Sequence, residues 1–230
     1  MTPTTSPRYH EAFRVTPLAF FDLDGTLVVG NTQQLLVRFL YRRGAVGWPF
    51  MLGTAVWFAG YKLGVVRPTD RARTRAARLL AGRSVDEIEA LMDAFTREML
   101  VPRLHEGAVA ALRAQRSAGG RVVILSAALD PLVRGLAREL GVAESVGTAL
   151  EVRDDRFTGE VVGRAVYGDE KLRAARRVLD VAGLDALECS AYADHETDVA
   201  LLESVGHPVA VNPRPGLLRV ARERGWPVIP

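Results

Sequence analysis

The chain of 230 residues contains a single cysteine, Cys189, so no disulfide can form within it, which predicts a reducing, cytoplasmic setting. Lysine is almost as rare, because only Lys62 and Lys171 are lysines among 30 basic residues. The net charge is only +3 and both signs are interspersed, which argues against nucleic acid as a partner. No apolar run follows the charges at the N-terminus, so it does not resemble a secretory signal.

One uncharged stretch, residues 44–61, is just long enough to be considered as a membrane span. Pro49, Gly53 and Gly60 interrupt it, which favours a buried helix or hairpin over a spanning helix. Peripheral contact with a membrane or lipid through residues 44–61 is the alternative interpretation.

Apolar residues make up 48% of the chain and charged residues 25%, which is typical of a folded globular protein. Short apolar runs alternate with helical patterns, which predicts an α/β fold with a Rossmann-like parallel sheet. The predicted strands are 18–24, 121–127, 189–194, 207–212 and 226–229. The predicted helices between them include 130–141, with Asp130 as its N-cap, 169–183 and 214–225. Residues 150–163 contain two β-like runs around Asp154 and Asp155 and therefore predict a hairpin.

Residues 31–105 interrupt this alternation because they have a helical pattern nearly throughout. One apolar stripe near the start of this segment contains Leu35, Phe39 and Leu40. We expect residues 31–105 to form a helical cap domain inserted into a core domain made of residues 1–30 and 106–230.

Polar side chains follow several of the predicted strands. Asp22 and Asp24 end the first strand and precede a turn at Gly25 and Thr26. The other candidate polar residues are Ser126, Asp194, Asp198 four residues after Asp194, and Lys171 in the first turn of a helix. Because the carboxyl ends of parallel strands meet at one edge of a sheet, we expect these side chains to converge. Three carboxylates repel one another unless a cation lies between them, and hard oxygen ligands favour Mg²⁺.

Four segments now show a specific resemblance. FDLDGT, ILS, GDEK and YADHETD, in this order and spacing, resemble the four motifs of the haloacid dehalogenase-like hydrolase superfamily. The chain is most similar to its phosphoserine phosphatase-like branch, subfamily IB, and residues 31–105 lie where that branch has its type I cap. The acid at Asp24 resembles the phosphatases of the superfamily rather than its dehalogenases.

The resemblance implies a role for each matching residue. Asp22 would be the nucleophile that forms an aspartyl-phosphate, Asp24 the general acid and base, and Lys171 a third catalytic residue. Mg²⁺ would be held by Asp22, by Asp194 and by the main-chain carbonyl of Asp24, with Asp198 behind these ligands. The residues expected to bind the substrate or its phosphoryl group are Thr26, Asn31, Ser126, Ala127 and Lys171.

The substrate is not fixed by these motifs. Asn31 stands where phosphoserine phosphatases have a Glu for the substrate amino group, and the second motif reads SAA, residues 126–128, instead of SGG. We therefore expect a Mg²⁺-dependent hydrolase of a small phosphomonoester, with phosphoserine, an amino-alcohol phosphate and a lipid phosphate all open. Phosphoryl transfer to a second hydroxyl and a non-hydrolytic protein that binds a membrane or a partner are the alternatives.

Overall fold

The computed structural model describes residues 9–48, 52, 53, 56 and 76–230. Within this part of the chain the strands are β1 (Leu18–Phe21), β2 (Arg121–Leu129), β3 (Glu144–Thr148), β4 (Leu150–Arg153), β5 (Arg156–Val161), β6 (Ser190–Ala193), β7 (His207–Val211) and β8 (Val228–Ile229). The α-helices there are α1 (Thr32–Arg42), α2 (Val85–Phe95), α3 (Glu106–Ser117), α4 (Asp130–Glu139), α5 (Asp169–Ala182), α6 (Val199–Glu203) and α7 (Pro215–Arg224). A π-helical turn, Thr96–Leu100, follows α2 directly.

Six parallel strands form the main sheet, in the order β3-β2-β1-β6-β7-β8. All four residues of the central strand β1 are buried, because both faces of the sheet are covered. Ala19 and Phe21 pack into one apolar cluster, while Leu18 and Phe20 pack into a second. This alternation along β1 places one core on each face of the sheet. The predicted Rossmann-like α/β fold is confirmed.

The register of the strands determines which polar residues share an edge. Phe21 lies opposite Ile124 of β2 and opposite Tyr192 of β6. Asp22, Ser126 and Asp194 each follow these paired positions by one or two residues, so they meet at the carboxyl edge. The sheet grows outward in both directions from β1 and β6, and this reversal is where α/β proteins bind ligands.

The five predicted strands and three predicted helices are present with slightly different ends. Strand β1 stops at Phe21 rather than at residue 24, because the chain turns directly after it. Sequence reasoning missed β3, α3 and α6.

The expectation that Asp130 caps its helix is wrong. Leu129 is the N-cap of α4, with an extended backbone, and Asp130 is the first helical residue. Strand β2 continues to Leu129 before the chain turns. Pro131 fits the first turn of the helix, because an N–H at that position would have no acceptor within the helix and proline has none to satisfy. Asp130 instead forms an ion pair of 3.2 Å with Arg134, one helical turn further on.

The predicted hairpin is formed by the antiparallel strands β4 and β5. Asp154 and Asp155 occupy its turn with positive φ angles. Phe157 of β5 is buried, and its main chain exchanges hydrogen bonds with residues that precede α2: its carbonyl accepts from Gly82 at 2.8 Å and its N–H donates to Arg83 at 3.0 Å. The hairpin therefore pairs with the segment that leads into α2.

The uncharged stretch 44–61 is only partly described. Val46 is buried, but Trp48, Leu52 and Val56 are 67%, 56% and 64% exposed, so the expectation of burial is wrong at these three positions. Positions 49–51, 54, 55 and 57–61 lie outside the described residues. In the part of the chain that the structure describes, no helix has the length and apolar character needed to cross a membrane.

Candidate active site

A tight turn follows β1 and carries the first two acids. The main-chain N–H of Asp22 donates to the carbonyl of Tyr192 at 3.0 Å, which extends the sheet pairing by one residue. Beyond it, Gly25 N–H donates to the carbonyl of Val28 at 2.8 Å, and Gly25 has a φ of +83°. This left-handed conformation favours glycine and turns the chain back at the sheet edge.

Lys171 lies at the centre of the acid cluster, which consists of Asp22, Asp24, Asp194 and Asp198. It lies in the first turn of α5, its side chain is 4% exposed, and its Nζ lies 2.6 Å from Asp22 Oδ1 and 2.6 Å from Asp198 Oδ2. Burial alone would lower the pKa of Lys171, but Asp198 and Asp22 together raise it above its ordinary value. Lys171 is therefore a charged ammonium that bridges two buried carboxyl groups.

The pKa of Asp22 shows that one ammonium does not balance the site. Burial raises the pKa of Asp22 to about 8, Lys171 opposes this shift, and the negative charges of Asp198 and Asp194 add to it. Without further positive charge, burial therefore favours the protonated form of Asp22. A nucleophile at this position needs an additional cation to become ionised.

Asp24 is held by the first helix of the segment that follows. The main-chain N–H of Thr32, the first residue of α1, donates to Asp24 Oδ1 at 2.6 Å. Burial raises the pKa of Asp24, and the main-chain hydrogen bond from Thr32 opposes this shift. A carboxyl group with a raised pKa is suited to donate and accept a proton near neutral pH.

Asp194 follows β6 and contacts the segment that follows β7. Its carbonyl accepts the N–H of Arg214 at 2.9 Å, and its Oδ2 lies 3.4 Å from Arg214 Nε. Burial raises the pKa of Asp194 to about 6, and the guanidinium of Arg214 opposes this shift. A Cβ at Gly25 would overlap the Asp194 carboxylate, so this acid lies directly against the turn that carries Asp22 and Asp24.

Ser126 and Ala127 lie at an irregularity in β2. Ser126 is buried, and its Oγ accepts the N–H of Ala128 at 3.2 Å. The carbonyl of Ala127 accepts a hydrogen bond from Thr148 Oγ1 at 2.9 Å. The register of β2 against β3 shifts at this point, which is a local bulge of the kind found beside active sites.

Thr26 and Asn31 have different surroundings. Thr26 is fully buried, and within the described residues its Oγ1 has no hydrogen-bond partner. The side-chain oxygen of Asn31 accepts the N–H of Gln34 at 3.1 Å and so caps α1. Among the described contacts, none joins Thr26, Asn31 or Ala127 to the acid cluster.

The residues at this edge suit a hard divalent cation. The predicted ligands are two carboxylates, Asp22 and Asp194, and the carbonyl of Asp24, which are all oxygen donors. No three acidic, histidine or cysteine side chains in the described ranges surround a common point, but the predicted set needs only two. Three carboxyl groups, Asp22, Asp194 and Asp198, are buried here against one buried ammonium, Lys171, so the buried part of the site is short of positive charge.

Sequence reasoning missed two contacts of the site. Arg214 lies three residues beyond β7, so the rule that polar residues at carboxyl ends of strands form the site could have found it. The contact of Thr32 with Asp24 is made by a main-chain N–H, which leaves no trace in the residue type.

The doubly wound parallel sheet, with its acids at the carboxyl edge of the central strand, defines an α/β protein of the Rossmann-like class. A family model of haloacid dehalogenase-like hydrolases matches residues 19–203, and the chain belongs to this family. The family predicted from the four motifs is thus confirmed, and so is the prediction of a hydrolase.

Individual relatives agree with this assignment. The chain is 35% identical over 217 residues to a protein from Mycobacterium tuberculosis named phosphoserine phosphatase SerB1. This match covers 93% of the present chain and 70% of the relative. It is 31% identical to a probable phosphatase from the same organism, over 99% of this chain and 79% of the relative. Among solved structures, a protein of unknown function from Bordetella pertussis Tohama I is 32% identical with a TM-score of 0.84, covering 94% of this chain and 99% of the other.

Proposed function

We propose that the chain is a Mg²⁺-dependent phosphomonoester hydrolase that acts through an aspartyl-phosphate on Asp22. The observation that carries this proposal is the buried bridge in which Lys171 Nζ lies 2.6 Å from both Asp22 and Asp198. An ammonium in that position can hold Asp22 in place and offset the charge of an incoming phosphoryl group. The names of the relatives, a phosphoserine phosphatase and a probable phosphatase, support the same chemistry.

In this proposal, an Asp22 oxygen attacks phosphorus, and the bond from phosphorus to the substrate oxygen breaks. Asp24 gives its proton to the leaving alcohol, which suits a carboxyl group with a raised pKa. Asp24 then takes a proton from the water that attacks the aspartyl-phosphate, and inorganic phosphate leaves. Ser126, Ala127 and Thr26 are proposed to bind the phosphoryl oxygens.

The proposed Mg²⁺ ligands are Asp22, Asp194 and the carbonyl of Asp24, with Asp198 behind them. A bound Mg²⁺ would neutralise phosphate charge and favour the ionised form of Asp22. Asp22 needs such help, because burial raises its pKa to about 8 in the protein alone. We propose the cytoplasm as the setting, since Cys189 is a free, buried thiol.

Release of inorganic phosphate from an aryl phosphate tests the proposal. We expect activity that requires Mg²⁺ and disappears in Asp22→Asn. Asp180→Asn is the matched control, because it removes the same charge from an exposed position on α5 and should leave activity unchanged. Equal activity in wild type and Asp22→Asn would refute the proposed nucleophile. Product analysis with an added alcohol acceptor distinguishes hydrolysis from phosphoryl transfer.

The substrate is proposed to be a small organic phosphate selected by residues 31–105, acting as a cap. Asn31 favours a substrate other than phosphoserine, because its side-chain oxygen caps α1 and it carries no charge for an ammonium group. We expect kcat/KM for a phosphate ester without an ammonium group, such as a lipid phosphate, to exceed that for phosphoserine in a panel of phosphate esters that also includes amino-alcohol phosphates. A clear preference for phosphoserine would contradict this part of the proposal.

A second candidate function is peripheral contact with a lipid surface through residues 44–61. Trp48, Leu52 and Val56 are exposed and recur at four-residue intervals, a spacing typical of residues that share one face of a helix. Exposed apolar side chains of this kind bind the interface of a bilayer. We expect the protein to float with liposomes of anionic lipid and Leu52→Glu to float less. Val181→Glu, at a position that is 89% exposed outside the stretch, is the control and should float like wild type.

A further inference from the structure

Arg214 contacts Asp194 with two different groups. It is the N-cap residue of α7, and its main-chain N–H donates to the Asp194 carbonyl at 2.9 Å. Its guanidinium Nε lies 3.4 Å from Asp194 Oδ2, in an ion pair. The side chain of Asp194 is 5% exposed, whereas that of Arg214 is 53% exposed.

The two contacts have separable roles. Any residue other than proline supplies a main-chain N–H, so substitution of the Arg214 side chain keeps the contact with the Asp194 carbonyl. The Asp194 carboxylate also packs against the turn at Gly25, which restricts it from the other side. The guanidinium is therefore not needed to place Asp194, and its main contribution is positive charge.

The cations of the site are divided between the acids. Lys171 contacts Asp22 and Asp198, while Arg214 is the cation that forms an ion pair with Asp194 among the described residues. We propose that Arg214 is a resident counter-ion of Asp194, which competes with a divalent cation for this carboxylate and thereby weakens metal binding. The proposal rests on the proposed metal site and identifies a residue that sets its affinity.

The expected effect follows from charge alone. A guanidinium beside Asp194 repels a second cation that approaches the same carboxylate. When the metal binds, the guanidinium must either move toward solvent or stay close to the metal at a cost in free energy. Because the Arg214 side chain is half exposed, a water-like dielectric applies. Coulomb's law for a single and a double positive charge about 6 Å apart then gives a change of about tenfold in the dissociation constant. Removal of the charge should tighten Mg²⁺ binding.

Calorimetric titration of the metal-free protein with Mg²⁺, without substrate, tests this role. We expect Arg214→Gln to lower the Mg²⁺ dissociation constant about tenfold. Arg214→Ser should act in the same direction, and serine is a favourable N-cap residue that preserves the start of α7. Arg219→Gln is the matched control, because it removes the same charge from an exposed position on α7.

The outcomes separate this role from the metal site itself. Wild type that binds Mg²⁺, with Asp194→Asn that does not, supports the metal site. If both neutral variants at Arg214 then bind Mg²⁺ as weakly as wild type, or more weakly, the counter-ion role is refuted while the metal site stands. Wild type that binds no Mg²⁺ refutes both.

Discussion

Replacement of Lys171 by methionine tests how far the buried acids depend on one ammonium. Lys171→Met keeps an unbranched side chain and removes the charge between Asp22 and Asp198, each 2.6 Å from Nζ. Loss of one partner from a buried ion pair costs about 3–5 kcal/mol, because the remaining charge has no compensation. We expect metal-free Lys171→Met to lose about this much free energy of unfolding at pH 8. In the presence of Mg²⁺, we expect the same variant to lose all catalytic activity.

The loss should be smaller at pH 5. Lys171 opposes the rise in the pKa of Asp22, so without the ammonium that pKa rises further and the folded variant keeps a proton that the unfolded chain has released. Stability falls with rising pH wherever the folded state binds more protons than the unfolded state. The destabilisation of Lys171→Met therefore grows from pH 5 to pH 8.

Urea denaturation followed by circular dichroism, in the presence of a chelator, measures both effects. Arg173→Met is the matched control on the same helix, because its side chain is 52% exposed and pairs with Glu170 at the surface. Its free energy of unfolding should change by less than about 0.5 kcal/mol. A loss below about 1 kcal/mol at pH 8 in Lys171→Met, or an equal loss at both pH values, would refute the reasoning.

Three further changes test other parts of the structure. Gly25→Ala should abolish the rise in Tm on addition of Mg²⁺, because the new Cβ overlaps Asp194 and the φ angle of +83° is strained for alanine. The control Gly119→Ala has a similar φ of +81° but its Cβ points into open space, so it should keep that rise. The Tm of the metal-free protein should fall as pH rises from about 4 to about 8, because burial raises the pKa of Asp22 to about 8 and that of Asp194 to about 6. A fall that Mg²⁺ leaves unchanged would count against the metal site. Phe157→Ala should lower the free energy of unfolding in urea by about 3–5 kcal/mol, because Phe157 is buried. The control Val152→Ala, at an exposed position, should lower it by less than about 1 kcal/mol. Equal losses would show that the hairpin core contributes little.

The sheet and its acids could be predicted because both leave local signals. The four residues of β1 are apolar and buried, and Asp22 follows them directly, so strand, edge and site coincide in a few residues. β3 was missed because it lies at the edge of the sheet and its residues, ESVGT, lack a strong apolar pattern.

The contacts that adjust the acids could not be predicted in the same way. Thr32 reaches Asp24 through a main-chain N–H, and Arg214 reaches Asp194 from a segment 20 residues further along the chain. Such contacts depend on how α1 and α7 begin relative to the sheet edge, which the sequence pattern gives only within a few residues. The exposure of Trp48, Leu52 and Val56 likewise could not be read from their apolar character.

The two cations at this edge show why the chain uses different residues for them. Lys171 is buried and contacts two carboxylates with one Nζ, a geometry that requires a compact point charge, whereas a guanidinium is larger and spreads its charge over a plane. Arg214 is half exposed at the rim and pairs with a single carboxylate, where a guanidinium is well suited. Since the chain has only two lysines among 30 basic residues, the lysine at the buried position indicates a requirement of the site, and Lys171→Arg should therefore fail to restore activity.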